Sequence, residues 1–365
     1  MACLAMGCSK DGTGDGDIKS PNLTADYTVL LKKDGALQTT YLNADKDGIS
    51  INAAKSDFEV GPIPDLSFRF GSEIGFFNSS ADCSATIGIL DFIDNTVVNT
   101  TVFSEDGNCD LLVKSTAFSE DKAFIAYVAA SNTEKDSYYL RILDLSLSPS
   151  SFTDVELAKE PKQLVVFDNK VFVLSLDTDI ANKYSIILIN IDSGAVVHEV
   201  NLGTDVLKIS KNETGNILVS YPNLHSIFDG KTLISGITIN YLVGKEPKFG
   251  YADSEFFWEQ SLYYPMESGT NSSYPHIAAV YDFKETKSIL YIYENFLTLE
   301  ERNLKYEIED TTMVSYDTKN NLLLIGYKKK GDSGKGGLMR IKPIPDPKFI
   351  DNVDLEGIPM ELFTH

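Results

Sequence analysis

No run of about 18 consecutive apolar residues occurs in the 365-residue chain, so no transmembrane helix is expected. Basic residues are scarce, with 32 Lys and Arg against 53 Asp and Glu and a net charge of −21. Such a surface repels phosphate backbones, which argues against nucleic-acid binding and leaves a well-solvated exterior. Histidine is limited to His198, His225, His276 and His365, and no two are spaced as a metal pair. Gly-x-Ser-x-Gly, His-Glu-x-x-His and paired-cysteine motifs are all absent. No catalytic residue, metal ligand or cofactor is therefore assigned, and the acidic residues are too numerous for one general acid and base to be singled out.

Two near-motifs also fail. Asn43, Asp45, Asp47 and Gly48 begin like a calcium loop, but Ala54 stands where its closing carboxylate belongs, so a hairpin turn is expected. Residues 331–337 are glycine-rich without the phosphate-loop spacing and with no helix pattern after them, so they are expected to form a hairpin.

Short strands are abundant. Residues 161–203 hold four runs, 162–167, 171–176, 184–191 and 195–202, rich in β-branched and aromatic side chains and bounded by Asp, Asn, Ser or Gly. That pattern is a four-stranded antiparallel meander. One such sheet cannot bury both faces alone, so it stacks on copies of itself. Comparable units recur along the chain, the sixth read as 248–252, 256–258, 276–283 and 288–293 around a long insertion. The first unit lacks a strand, and residues 358–363 follow the seventh unit as a first strand would. The expected fold class is all-β, a seven-bladed β-propeller over residues 26–365 closed by a C-terminal strand. The rivals are a pair of β-sandwiches or a six-bladed ring.

The strongest local anomaly is residues 240–275, which hold Trp258, the only tryptophan, with Tyr263, Tyr264 and Tyr274. Trp258 ends a predicted strand and the three tyrosines lie in the insertion after it, and these four rings would form a ligand-binding platform on the loop face for flat molecules or sugars. The alternative is a loop folding its aromatics onto its own blade.

At the start, Leu4-Ala5-Met6-Gly7-Cys8 looks like the end of a bacterial lipoprotein signal with Cys8 as the lipidation site. The upstream segment is too short for a signal peptide, so the numbering is expected to begin inside a longer one. Residues 1–8 are read as the signal remnant and 9–25, opening on a Gly/Asp run, as a flexible tether. An exported protein can hold a disulfide, and Cys83 and Cys109 fall in loops that the blade register puts on one face, so a bridge is expected.

This lipobox, tether and blade pattern resembles the surface-lipoprotein propellers of Bacteroidetes-type bacteria that accompany TonB-dependent outer-membrane transporters, with YncE-like propellers as wider relatives. The resemblance implies an outer-membrane, lipid-anchored, non-enzymatic module that captures a siderophore, corrinoid or glycan and has a TonB-dependent transporter as partner. A carbohydrate-active hydrolase or lyase and a protein-interaction scaffold are the alternatives.

Overall fold

Seven antiparallel sheets make up the computed structural model, which describes residues 24–365 except 104–107, 132–134, 148–149, 181, 252–253, 270–271 and 332–333. The sheets form the blades of a propeller ring, so the β-sandwich and six-bladed alternatives fall away. Cys8 and the signal and tether assignments lie outside the described residues, apart from the last two tether positions.

Blade 1 takes its first strand from the C-terminus: Ile358–Thr364 pairs antiparallel with Tyr27–Lys33, which pairs with Ala36–Ala44. Its outer edge is split into Ile49–Ile51 and Phe58–Pro62, both paired with Ala36–Ala44. The expected closure is thus present. The first strands of blades 2 to 7 are Leu66–Phe70, Leu111–Ser119, Glu160–Phe167, Lys208–Lys211, Phe256–Trp258 and Ile308–Asp317. Consecutive first strands approach one another around the ring and line its channel.

Burial follows the order of strands within each blade. In blade 4 the second strand, Lys170–Asp177, is buried over Val171–Ser175, whereas the fourth, Val196–Gly203, is mostly exposed. Strands covered on both faces need continuous apolar runs, and outer strands tolerate polar residues. The core is accordingly a set of layers between blades. Leu30, Leu37, Ile74 and Phe92 pack blade 1 on blade 2, and Leu31, Leu42, Leu338 and Leu355 pack blade 7 on blade 1. Full burial of each such side chain contributes about 1.5–3 kcal/mol.

Polar contacts reinforce the closing seam. The Arg340 side chain is fully buried, donating from Nε and Nη2 to the Asp351 carboxylate at 2.7 and 2.6 Å and from Nη1 to the Asp45 carbonyl of blade 1. Tyr27 donates its hydroxyl to Asp317 at 2.6 Å across the same seam.

Blade 6 departs from the sequence reading. Residues 248–252 are not its first strand; Phe249–Tyr251 is a short 3-10 turn, Phe256–Trp258 is the first strand, and Ser261–Glu267 is the second. Of the expected insertion, Ser261–Glu267 is a strand, and of the residues that follow it 268–269 and 272–275 are described and lie outside any strand.

The Cys83–Cys109 disulfide is present, with Cα atoms 4.7 Å apart. Cys83 sits in the loop joining the second and third strands of blade 2, and Cys109 in the turn entering blade 3. Both connections open on one face, called upper here. Asp26 and the C-terminal His365 lie on the lower face, where the His365 amide donates to the Asp26 carbonyl at 2.9 Å.

Candidate functional site in the central channel

The first strands surround two cavities stacked along the ring axis, about 780 Å3 at the upper end and about 730 Å3 at the lower. Ser67, Ile74 and Glu361 belong to both linings, so the cavities meet at that level. Glu361 comes from the closing strand and Arg69 from blade 2, and their side chains pair at 2.9 Å. Burial pushes the Glu361 carboxyl above the usual carboxylate range, against the opposing pull of the Arg69 guanidinium.

Ion pairs between neighbouring first strands continue around the ring. Lys114 meets Glu160 at 3.1 Å between blades 3 and 4, and Lys208 meets Glu255 at 2.9 Å at the junction of blades 5 and 6. Ser210 also donates to Glu255, at 2.9 Å. These pairs tie blade 1 to blade 2, blade 3 to blade 4 and blade 5 to blade 6.

The upper cavity has an apolar wall of Leu30, Leu37, Ile74, Phe76 and Met360, and a polar side from blades 6 and 7. There His276 Nδ1 lies 3.0 and 3.1 Å from the two Asp310 oxygens, and the His276 backbone amide donates to the same carboxylate at 2.8 Å. Asp310 thereby holds His276 both at its backbone and at Nδ1 of its ring. The His276 side chain remains 42% exposed at the cavity edge. Thr312 contributes a buried hydroxyl with no hydrogen-bond partner among the described residues. An unpartnered polar atom on a cavity wall is a place for a ligand atom or water. No group of three His, Cys, Asp or Glu among the described residues is placed to hold a metal ion.

The aromatic platform is not assembled as expected. Tyr263 and Tyr264 lie in the second strand of blade 6, at 8% and 0% exposure, and Tyr274 is 2% exposed beneath the loop after it. Tyr264 donates its hydroxyl to the Pro247 carbonyl at 2.6 Å, Tyr263 stacks on Tyr316 at 5.1 Å, and Tyr274 packs edge-on to Tyr293 at 4.9 Å. These rings fill the layers around blade 6 because the strand carrying them is covered on both sides. Trp258 is 36% exposed but ends the first strand of blade 6, on the lower face, away from the upper-face loop of Tyr274.

Sequence reasoning missed Arg69, Asp310, Thr312 and Glu361 as channel residues. Their shared signal is position within first strands spaced far apart in the chain, which means little until the ring brings the strands together.

No family model matches the chain, and no curated protein does. Among solved structures, the dihydro-heme d1 dehydrogenase NirN in complex with DHE superposes with a TM-score of 0.53 at 12% identity, covering 93% of this chain and 74% of that one. A puromycin hydrolase gives 0.54 at 7% identity, covering 92% of this chain and 54% of its own, so this chain spans about half of that protein. Apo AztD from Citrobacter koseri gives 0.49 at 12% identity, covering 94% and 98%. Identities this low show the fold alone: the chain is a β-propeller.

Proposed function

We propose that the ring is a lipid-anchored ligand-capture module of the bacterial outer membrane, non-enzymatic, which takes a small molecule into the upper cavity and presents it to a membrane transporter. The observation that carries this reading is the upper cavity itself. It is of drug-molecule size, with one apolar wall and a few fixed polar groups on the other, the usual composition of a small-molecule site. The Cys83–Cys109 bridge supports an extracytoplasmic location, because disulfides persist in oxidising compartments.

Calorimetric titration with catecholate siderophores, corrinoids and short glycans tests the site. A ligand whose affinity falls about tenfold in His276→Gln or Thr312→Val, the loss expected for one hydrogen bond to a buried or charged partner, supports it. A ligand indifferent to both substitutions binds elsewhere. Anchoring has its own test: a palmitate analogue should label the exported full-length product through Cys8, and Cys8→Ala should abolish the label. An unlabelled wild-type protein would overturn the anchor.

One observation favours a second reading, a carbohydrate-active enzyme. A carboxylate that fixes Nδ1 of an imidazole leaves Nε2 to act as a general base at the cavity edge. Glycan cleavage by wild type and none by His276→Gln would select this reading.

A further inference from the structure

The lower cavity contains a cation with a different relation to its surroundings. Arg69 and Lys208 on the same channel wall each have a carboxylate partner, but the ammonium of Lys211, at the lower end of the first strand of blade 5, forms no hydrogen bond or ion pair among the described residues. Its Nζ instead lies 5.9 Å from the ring centre of Phe167 on the adjacent blade and 5.7 Å from that of Phe70 on blade 2. Blades 2 and 5 face each other across the ring, so the ammonium reaches into the lumen. Aromatic faces at that range offset part of the loss of water, yet leave its N–H donors unused.

A partly buried, unpaired ammonium loses some of its hydration without a counter-charge, and this chain carries far more Asp and Glu than Lys and Arg, 53 against 32. The carboxylates that share the cavity do not serve it. Glu255 is held by Lys208 and Ser210, Glu361 by Arg69, and Glu213 is not paired with it. The rest of the lining is rich in rings, with Phe68, Phe118, Phe256 and Phe257 beside the two already named. A second polar group waits there as well, since the buried Thr116 hydroxyl has no partner among the described residues. Burial also pushes the Lys211 ammonium below its usual pKa, in keeping with a site that lacks its counter-charge.

We propose that the lower cavity is a second ligand site, selective for a small aromatic carboxylate whose carboxylate accepts hydrogen bonds from Lys211 and whose ring packs among the phenylalanines. This site is separate from the upper cavity of the proposed function and does not depend on it.

The test uses the intact protein with two probes of one shape, 2-naphthoate and the uncharged 2-naphthamide, titrated by calorimetry at neutral pH. Wild type should bind the naphthoate about tenfold more tightly than the amide, as expected for charge-assisted hydrogen bonds in a shielded site. Lys211→Met keeps the length of the side chain and removes the charge. It should erase that preference while leaving the amide's affinity within about threefold. His276→Gln, in the upper cavity, should change neither probe. Equal affinities in wild type, or no binding of either probe, overturn the proposal without any variant. So does a preference for naphthoate that survives Lys211→Met or disappears in His276→Gln, because the anion then sits on another group.

Discussion

Acidification should destabilise the ring through one buried histidine that lines neither cavity. His225, in the third strand of blade 5, is 1% exposed and surrounded by the rings of Tyr241, Phe249, Tyr281 and Phe283, with centroids 5.6 to 5.9 Å away. Its Nδ1 shares a 2.7 Å hydrogen bond with the Tyr241 hydroxyl. Burial among these rings holds its pKa down to about 4. In the unfolded chain the imidazole returns to about 6.5. Because the folded value is the lower one, the unfolded chain carries the extra proton between these two pH values. His225 therefore costs nothing above about pH 6.5 and removes stability progressively as the pH falls toward 4. Each pH unit is worth about 1.4 kcal/mol, so acidification to pH 4.5 removes about 2.5 kcal/mol, or roughly 3 °C of Tm for a chain this large. The assay compares thermal melts near pH 7 and pH 4.5 for wild type and His225→Phe. The variant leaves Tyr241 without its partner at both pH values, and carboxylate titration is common to both proteins, so the difference between the two pH-induced shifts isolates the imidazole. Equal shifts would refute the reasoning.

Other contacts give equally definite expectations. Replacing Cys83 and Cys109 by Ala opens a loop of sequence separation 26, for which chain entropy gives about 3.5 kcal/mol of lost stability. Peptide mapping of the unreduced wild-type protein should recover the two cysteines joined, and separately alkylated peptides would contradict the bridge. Arg340→Met strands the Asp351 carboxylate and the Asp45 carbonyl at the closing seam, a loss of about 3–5 kcal/mol or roughly 4–7 °C in Tm. Adding Asp351→Leu should recover a large part of that loss, and a double variant no more stable than Arg340→Met would show that the charge pair is not the source.

The blades were legible because each strand type carries its own pattern. Apolar stretches such as Val171–Leu174 announce strands covered on both sides, and Asp168-Asn169 and Asp192-Ser193-Gly194 punctuate the turns between them. The disulfide followed from the same register, since it required only that two kinds of connection share a face. Blade 6 misled for a physical reason. Pro265 and the crowd of aromatics in Ser261–Glu267 look like a functional loop, yet the strand tolerates the proline because the first strand pairs only with Ser261–Tyr263 and leaves Pro265 an unpaired edge on that side, and the rings satisfy the demand for volume around the blade. The channel was not legible at all. Arg69 and Glu361 are 292 positions apart in sequence, and only ring closure makes them neighbours.

The closing strand also sets an order of events. Synthesis runs from the N-terminus, so Ile358–Thr364 is made after every other strand of the ring. Until it docks, Tyr27–Lys33 presents a bare edge and the upper cavity lacks Ile358, Pro359, Met360 and Glu361. A polypeptide cut short after Gly357 would hold every other strand of the ring and still have no complete pocket. Ring closure and completion of the upper cavity thus arrive together, and a synthetic peptide of residues 358–365 added to the truncated protein should restore both at once.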